Sequence, residues 1–147
     1  MVDSPPLRRF GWPELAYGTA PAAGAHYVQT VDGAYLQRLV SVFVTLTTDA
    51  TVADRTVVVD YLDAAGERYQ LSGAPLAQTA SSANDWSFNV FQPRAEWTVD
   101  GSAIIPLAPT LLLPTHSWRV YVSGIEAADQ LSNVRYVFER FYSADVH

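Results

Sequence analysis

The sequence predicts an all-β fold: a single-domain antiparallel β-sandwich, jelly-roll-like, of about eight strands, with an extended N-terminal arm. Three observations predict it. Apolar and polar residues alternate at period two in several stretches, the signature of half-buried strands. Gly, Pro and Asp-Gly turn signals recur at roughly 8–12-residue intervals, the spacing of a sandwich or barrel. No stretch sustains a 3.6-residue period, and only Ile125–Leu131 has room for a single helical turn. The chain of 147 residues is the size of one domain.

Residues 1–25 read differently from the rest. Pro5, Pro6, Pro13 and Pro21 and Gly11, Gly18 and Gly24 punctuate them, and no periodicity runs through. Phe10, Trp12, Leu15 and Tyr17 nevertheless supply apolar anchors that a free tail does not need, with Arg8 and Arg9 available to carboxylates. The segment is expected to be an arm lying on a neighbouring subunit, dispensable for folding and required for tight attachment. Wrapping over its own sandwich and simple disorder are the alternatives.

The sandwich is expected over 26–147. His26–Val31 reads as a strand, followed by the Asp32-Gly33 turn. In the strand Leu36–Thr47, Val40, Val42, Val44 and Leu46 share one face, and Ser41, Phe43, Thr45 and Thr47 the other. A polar loop over Thr48–Asp54 leads to a strand around Val57, Val58 and Val59. The Asp63–Gly66 turn returns the chain through Glu67–Leu71, with Gly66 free to take positive φ. A Ser-, Ala-, Gly- and Pro-rich loop over Ser72–Asn84 precedes a strand with Trp86, Phe88 and Val90 two apart. Trp97–Leu107 is a strand broken at Asp100-Gly101, and Leu111–Pro114 a short buried connector. Ser117–Ser123 and Asn133–Phe141 close the fold. The expected core is Val40, Val42, Val44, Val57, Val59, Val120, Val122 and Phe138.

Composition narrows the function classes. There is no cysteine, which excludes disulfides and thiolate metal sites. All nine cations are arginine, and the formal net charge is −6. Nucleic acid binding needs clustered cations, and Arg8-Arg9 is the only adjacent basic pair, so no nucleic acid partner is expected. No apolar run reaches the ~20 residues of a membrane helix, so no membrane partner is expected either. Met1–Pro6 has no apolar signal-peptide core, which implies synthesis in a cytoplasm.

The search for catalysis is short. His26, His116 and His147 do not pair at metal-ligand spacing. A Gly-x-Ser-x-Gly elbow and a glycine-rich phosphate loop are both missing. Asp60 with Asp63, and Glu126 with Asp129, are acid pairs at strand ends and loops, where solvated acids are ordinary. Asp60 is expected to face outward. Neither a catalytic residue nor a metal or other cofactor is expected. Trp86, Trp97 and Trp118 are core or interface residues, or platforms for a sugar ring.

Three stretches, 36–69, 99–113 and 118–141, together resemble small structural proteins from the morphogenesis clusters of tailed bacteriophages. The residues that carry the resemblance are Thr47, Arg55, Asp63, Gly66, Pro109, Pro114, Trp118, Asp129, Ser132 and Val134, taken in order. The resemblance implies a jelly-roll capsid decoration or cement protein without catalytic activity. It implies the virion surface as location, and the major capsid protein and copies of itself, as a homotrimer, as partners. A neck or tail-associated virion protein and a carbohydrate-binding sandwich module are the alternatives.

Overall fold

The computed structural model describes residues 12–142. They are all-β, with no helix: eleven strands in two sheets enclose one core. The strands are β1 (Trp12–Tyr17), β2 (Tyr27–Thr30), β3 (Tyr35–Thr47), β4 (Thr56–Leu62), β5 (Arg68–Ser72) and β6 (Ala83–Asn89). β7 (Glu96–Trp97), β8 (Ala103–Pro106), β9 (Leu111–Leu112), β10 (Ser117–Ser123) and β11 (Gln130–Tyr142) follow. The larger sheet runs β1-β11-β3-β6-β8-β7, with β9 also on β3, and the smaller runs β2-β10-β4-β5.

The count exceeds the expected eight because two-residue strands and one edge strand have no period to read. Leu111 and Leu112, expected as a connector, pair with β3. One pairing is parallel: β8 returns from the Asp100-Gly101 turn into the space between β6 and β7, alongside β6. Ile125–Leu131 forms no helix; a turn closes there, with Asp129 N donating to Glu126 O.

The core is built by alternation from both sheets. Val42, Val44, Leu46, Trp86, Phe88 and Ile105 enter from the larger sheet, and Val57, Val59, Tyr61, Trp118, Val120 and Val122 from the smaller. Trp118 meets Tyr136 of the opposite sheet edge-on, ring centroids 4.8 Å apart. Val40 is a correction: it is half-buried, and Leu39 takes the core place. Leu39 pairs with Phe138 and Ser41 with Val137, so a bulge between them shifts the alternation by one residue.

Residues 12–17 are a second correction. Read from sequence first as part of an arm on a neighbouring subunit, they follow the alternative of lying on their own sandwich and form β1, antiparallel to β11 from Trp12↔Arg140 to Tyr17↔Arg135. The partner strand lies far away in sequence, so no local turn signalled the pairing. Gly18 then donates its N–H to Val134 O at 2.9 Å. A Cβ on Gly18 would lie 2.5 Å from the Tyr27 hydroxyl, so only glycine fits beneath that ring. Farther on, Gln130 Nε2 donates to Pro21 O, and Gly24 N to Asp129 O.

Candidate interaction surface

The pleat sends alternate side chains to the two outer faces, and those faces carry different chemistry. On the smaller sheet, Asp60 points away from the core as expected, yet its side chain is fully buried. Arg119, directly opposite on β10, donates to it through Nε at 3.0 Å and Nη2 at 2.6 Å. Arg68 Nε donates at 2.8 Å. The solvated acid expected at Asp60 is therefore a caged one. Both guanidiniums also lie over the Tyr121 ring, and His26 stacks on that ring with centroids 4.3 Å apart. His26 Nδ1 accepts the Val122 backbone N–H at 3.0 Å. Burial holds the His26 imidazole below its ordinary pKa, Arg119 lowers it further, and Asp60 opposes them.

At one end of the sandwich a second cage forms. Arg55 Nε and Nη2 grip both carboxylate oxygens of Asp129, and Nη2 also reaches Asp49. Its Nη1 donates to Thr51 O and Ala53 O. Asp129 completes its shell with the N–H groups of Glu126 and Asp49. Burial alone would raise the Asp129 pKa, but Arg55 and those two amides hold it below the usual carboxylate range. The two motif residues Arg55 and Asp129, separate in sequence, thus form one buried, hydrogen-bonded ion pair that ties the loop after β3 to the turn before β11. Asp129, expected as an ordinary solvated acid, is buried.

The tryptophans are accounted for similarly. Trp86 and Trp118 are fully buried, and Trp86 Nε1 donates to Gln78 Oε1. Trp97 is half-buried, edge-on to Trp86. None of these three offers an open platform. Among the described residues, no group of three or more His, Asp or Glu side chains converges as a metal site.

The outer face of the larger sheet is open. Across β1, β11 and β3, Leu15, Tyr17, Ser41, Phe43, Arg135 and Val137 line a shallow groove of about 280 Å³. Leu15 is 58% and Tyr17 73% exposed, high values for an aliphatic and an aromatic side chain on a strand. Arg135 lies over Phe43, its guanidinium carbon 4.1 Å from the ring centroid. Every other described arginine has a carboxylate within ion-pair distance; Arg135 has none among the described residues. A neighbouring patch on the same face holds Val40, Val90, the 83%-exposed Phe91 and Pro109.

Of the residues singled out in the sequence, the structure places Leu15 and Tyr17 together on this face. Trp12 is described only as backbone, and Arg8, Arg9 and Phe10 lie outside the described residues. Phe43, Arg135 and Val137 were not anticipated as site residues. Their only sequence signal was an apolar residue on the polar side of an alternating strand, as at Phe43 between Val42 and Val44.

No family model and no curated protein matches the sequence. Among solved structures, the chain is similar to one described as a crystal structure of the T13 IBDV viral particle, with TM-score 0.41 and 8% identity. It is also similar to one of the infectious bursal disease virus Gx strain, with TM-score 0.32 and 10% identity. The matches cover 90% and 92% of this chain but only 32% and 41% of those chains. With TM-scores below 0.5, neither carries a function across.

Proposed function

We propose that the chain is a non-enzymatic structural protein of a tailed-bacteriophage virion, a decoration or cement protein that binds the major capsid shell. The observation that carries the docking role is the open face of β1, β11 and β3. An exposed tyrosine and an arginine stacked on phenylalanine are side chains enriched at protein interfaces and their hot spots, and the exposed Leu15 adds apolar area beside them. The phage assignment rests on the motif resemblance. A bridging copy would strengthen a shell simply: local opening must also break its contacts.

The test is co-sedimentation of the full chain with purified shells stripped of it. Binding is expected, with loss on Leu15→Asp or Tyr17→Ala while the circular dichroism spectrum holds. Binding only to isolated necks or tails would move the protein to that part of the particle. Retention on a glycan array, with no affinity for any virion component, would refute the reading. Sedimentation analysis tests the proposed homotrimer separately.

A further inference from the structure

The open face adjoins an open sheet edge, and the backbone of that edge is the second part of the site. Gly18 N donates to Val134 O in the same register that pairs Tyr17 with Arg135. In an antiparallel ladder, backbone groups point alternately toward and away from the partner strand. Gly18, Ala16 and Glu14 therefore turn their N–H and C=O toward β11, and Pro13, Leu15 and Tyr17 turn theirs outward. Pro13 fits this assignment, since proline is tolerated on an edge where its missing N–H costs no ladder bond. β1 is the last strand on its side of the sheet, so the Leu15 and Tyr17 amides and carbonyls have no strand partner among the described residues.

Resting on the docking role proposed above, we propose that this edge takes an extended, glutamate-bearing segment of a partner protein as an added β-strand. Free N–H and C=O groups select an extended backbone. Leu15 and Tyr17 receive its apolar side chains on the outer face. Arg135, with no carboxylate partner among the described residues of a chain of net charge −6, selects the acid. Reach favours glutamate over aspartate. A residue opposite Tyr17 on the added strand stands two strand spacings from Arg135, roughly 10 Å between backbones. Two long side chains meeting over Tyr17 span that gap. A basic segment is disfavoured, and a self-paired edge leaves Arg135 without its carboxylate.

The test is a display selection of short random peptides on the full chain. The expected winners alternate apolar residues and carry glutamate at one position. Arg135→Ala should weaken the best peptide on the order of tenfold or more, as for loss of a charge-assisted hydrogen bond, without lowering the melting temperature. Arg135→Glu should switch the selected charge to Lys or Arg. Binding should slow hydrogen exchange at the Leu15 and Tyr17 amides, a readout that needs no variant. Winners without acid, unchanged winners on Arg135→Glu, unprotected amides, or no winners at all would overturn the inference. So would a dimer through β1 that excludes the peptides. If Leu15→Asp still abolishes shell binding in any of those cases, the docking face stands and only the acidic strand falls.

Discussion

The outer faces of the two sheets arise from the same alternation and end in opposite states. On the smaller sheet, the outward carboxylate of Asp60 is enclosed by Arg68 and Arg119, whose guanidiniums both lie over the Tyr121 ring. The charged groups of this cluster find their partners within the chain, although Val28 and Leu71 beside them stay about half exposed. On the larger sheet, Leu15, Tyr17 and Arg135 lack that internal completion. Under the docking role proposed above, burial of their apolar surface and pairing of their charge wait for another molecule. On the proposed reading the first face serves stability and the second recognition, and substitutions separate the two.

The largest stability effect is expected at Asp60. Asp60→Ala strands two cations over the sheet and should cost about 2 kcal/mol, below the ~3–5 of a fully enclosed pair because both arginines still touch water. Chemical denaturation measures it. A loss under ~0.5 kcal/mol would mean that the cage is no more than a surface ion pair. Docking of the folded variant should be unchanged.

Tyr17→Ala gives the mirror image. Binding to shells should fall by about 2 kcal/mol if Tyr17 is a hot spot, while folding stability moves within ~0.5 kcal/mol, as for an exposed side chain. A large melting-temperature change without a binding change would reverse the roles of the two faces.

Truncation sharpens the boundary. Deleting residues 1–11 should leave β1 and the fold intact. Deletion through Gly24 should lower the melting temperature, because it removes β1 and the contacts of Gly18 and Pro21 with the rest of the sheet. The arm expected from sequence is therefore dispensable at most up to Trp12. Equal melting temperatures for the two truncations would show that β1 adds nothing to the sandwich.

The smallest effect concerns pH. The folded state depresses the His26 pKa below its ordinary 6.5, so it favours the neutral ring. That contribution is fully present above about pH 6.5 and is lost as pH falls through the lower folded value. Protonation removes the Nδ1 acceptor of the Val122 amide and places a cation near Arg119, with Asp60 opposing that repulsion. Melting temperature should decline below pH 6.5, and His26→Phe should flatten that decline. An unchanged slope in the variant would remove His26 from the account.

The core faces of β3, β4 and β10 were legible because a period of two survives wherever a strand is long and regular. Legibility ended at Val40, where a bulge moves the alternation by one residue, and at β1, whose partner follows it by more than a hundred positions. Asp60 and Asp129 looked like ordinary surface acids because nothing local announces the arginines that enclose them. The pairing of Arg119 with Asp60 and of Arg55 with Asp129 exists only once distant strands and loops meet.

The sequence by itself determined the all-β class, most strand positions and the apolar set of the core, since these follow from local alternation and turn chemistry. Only the tertiary structure decided which outward residues are closed off and which stay open. Strand order brings Arg119 and Arg68 to Asp60, and leaves β1 at an edge with Arg135 stacked on Phe43 and no carboxylate in reach among the described residues. The physical reason is that charge compensation and edge exposure are properties of neighbours in space, which period and composition do not encode.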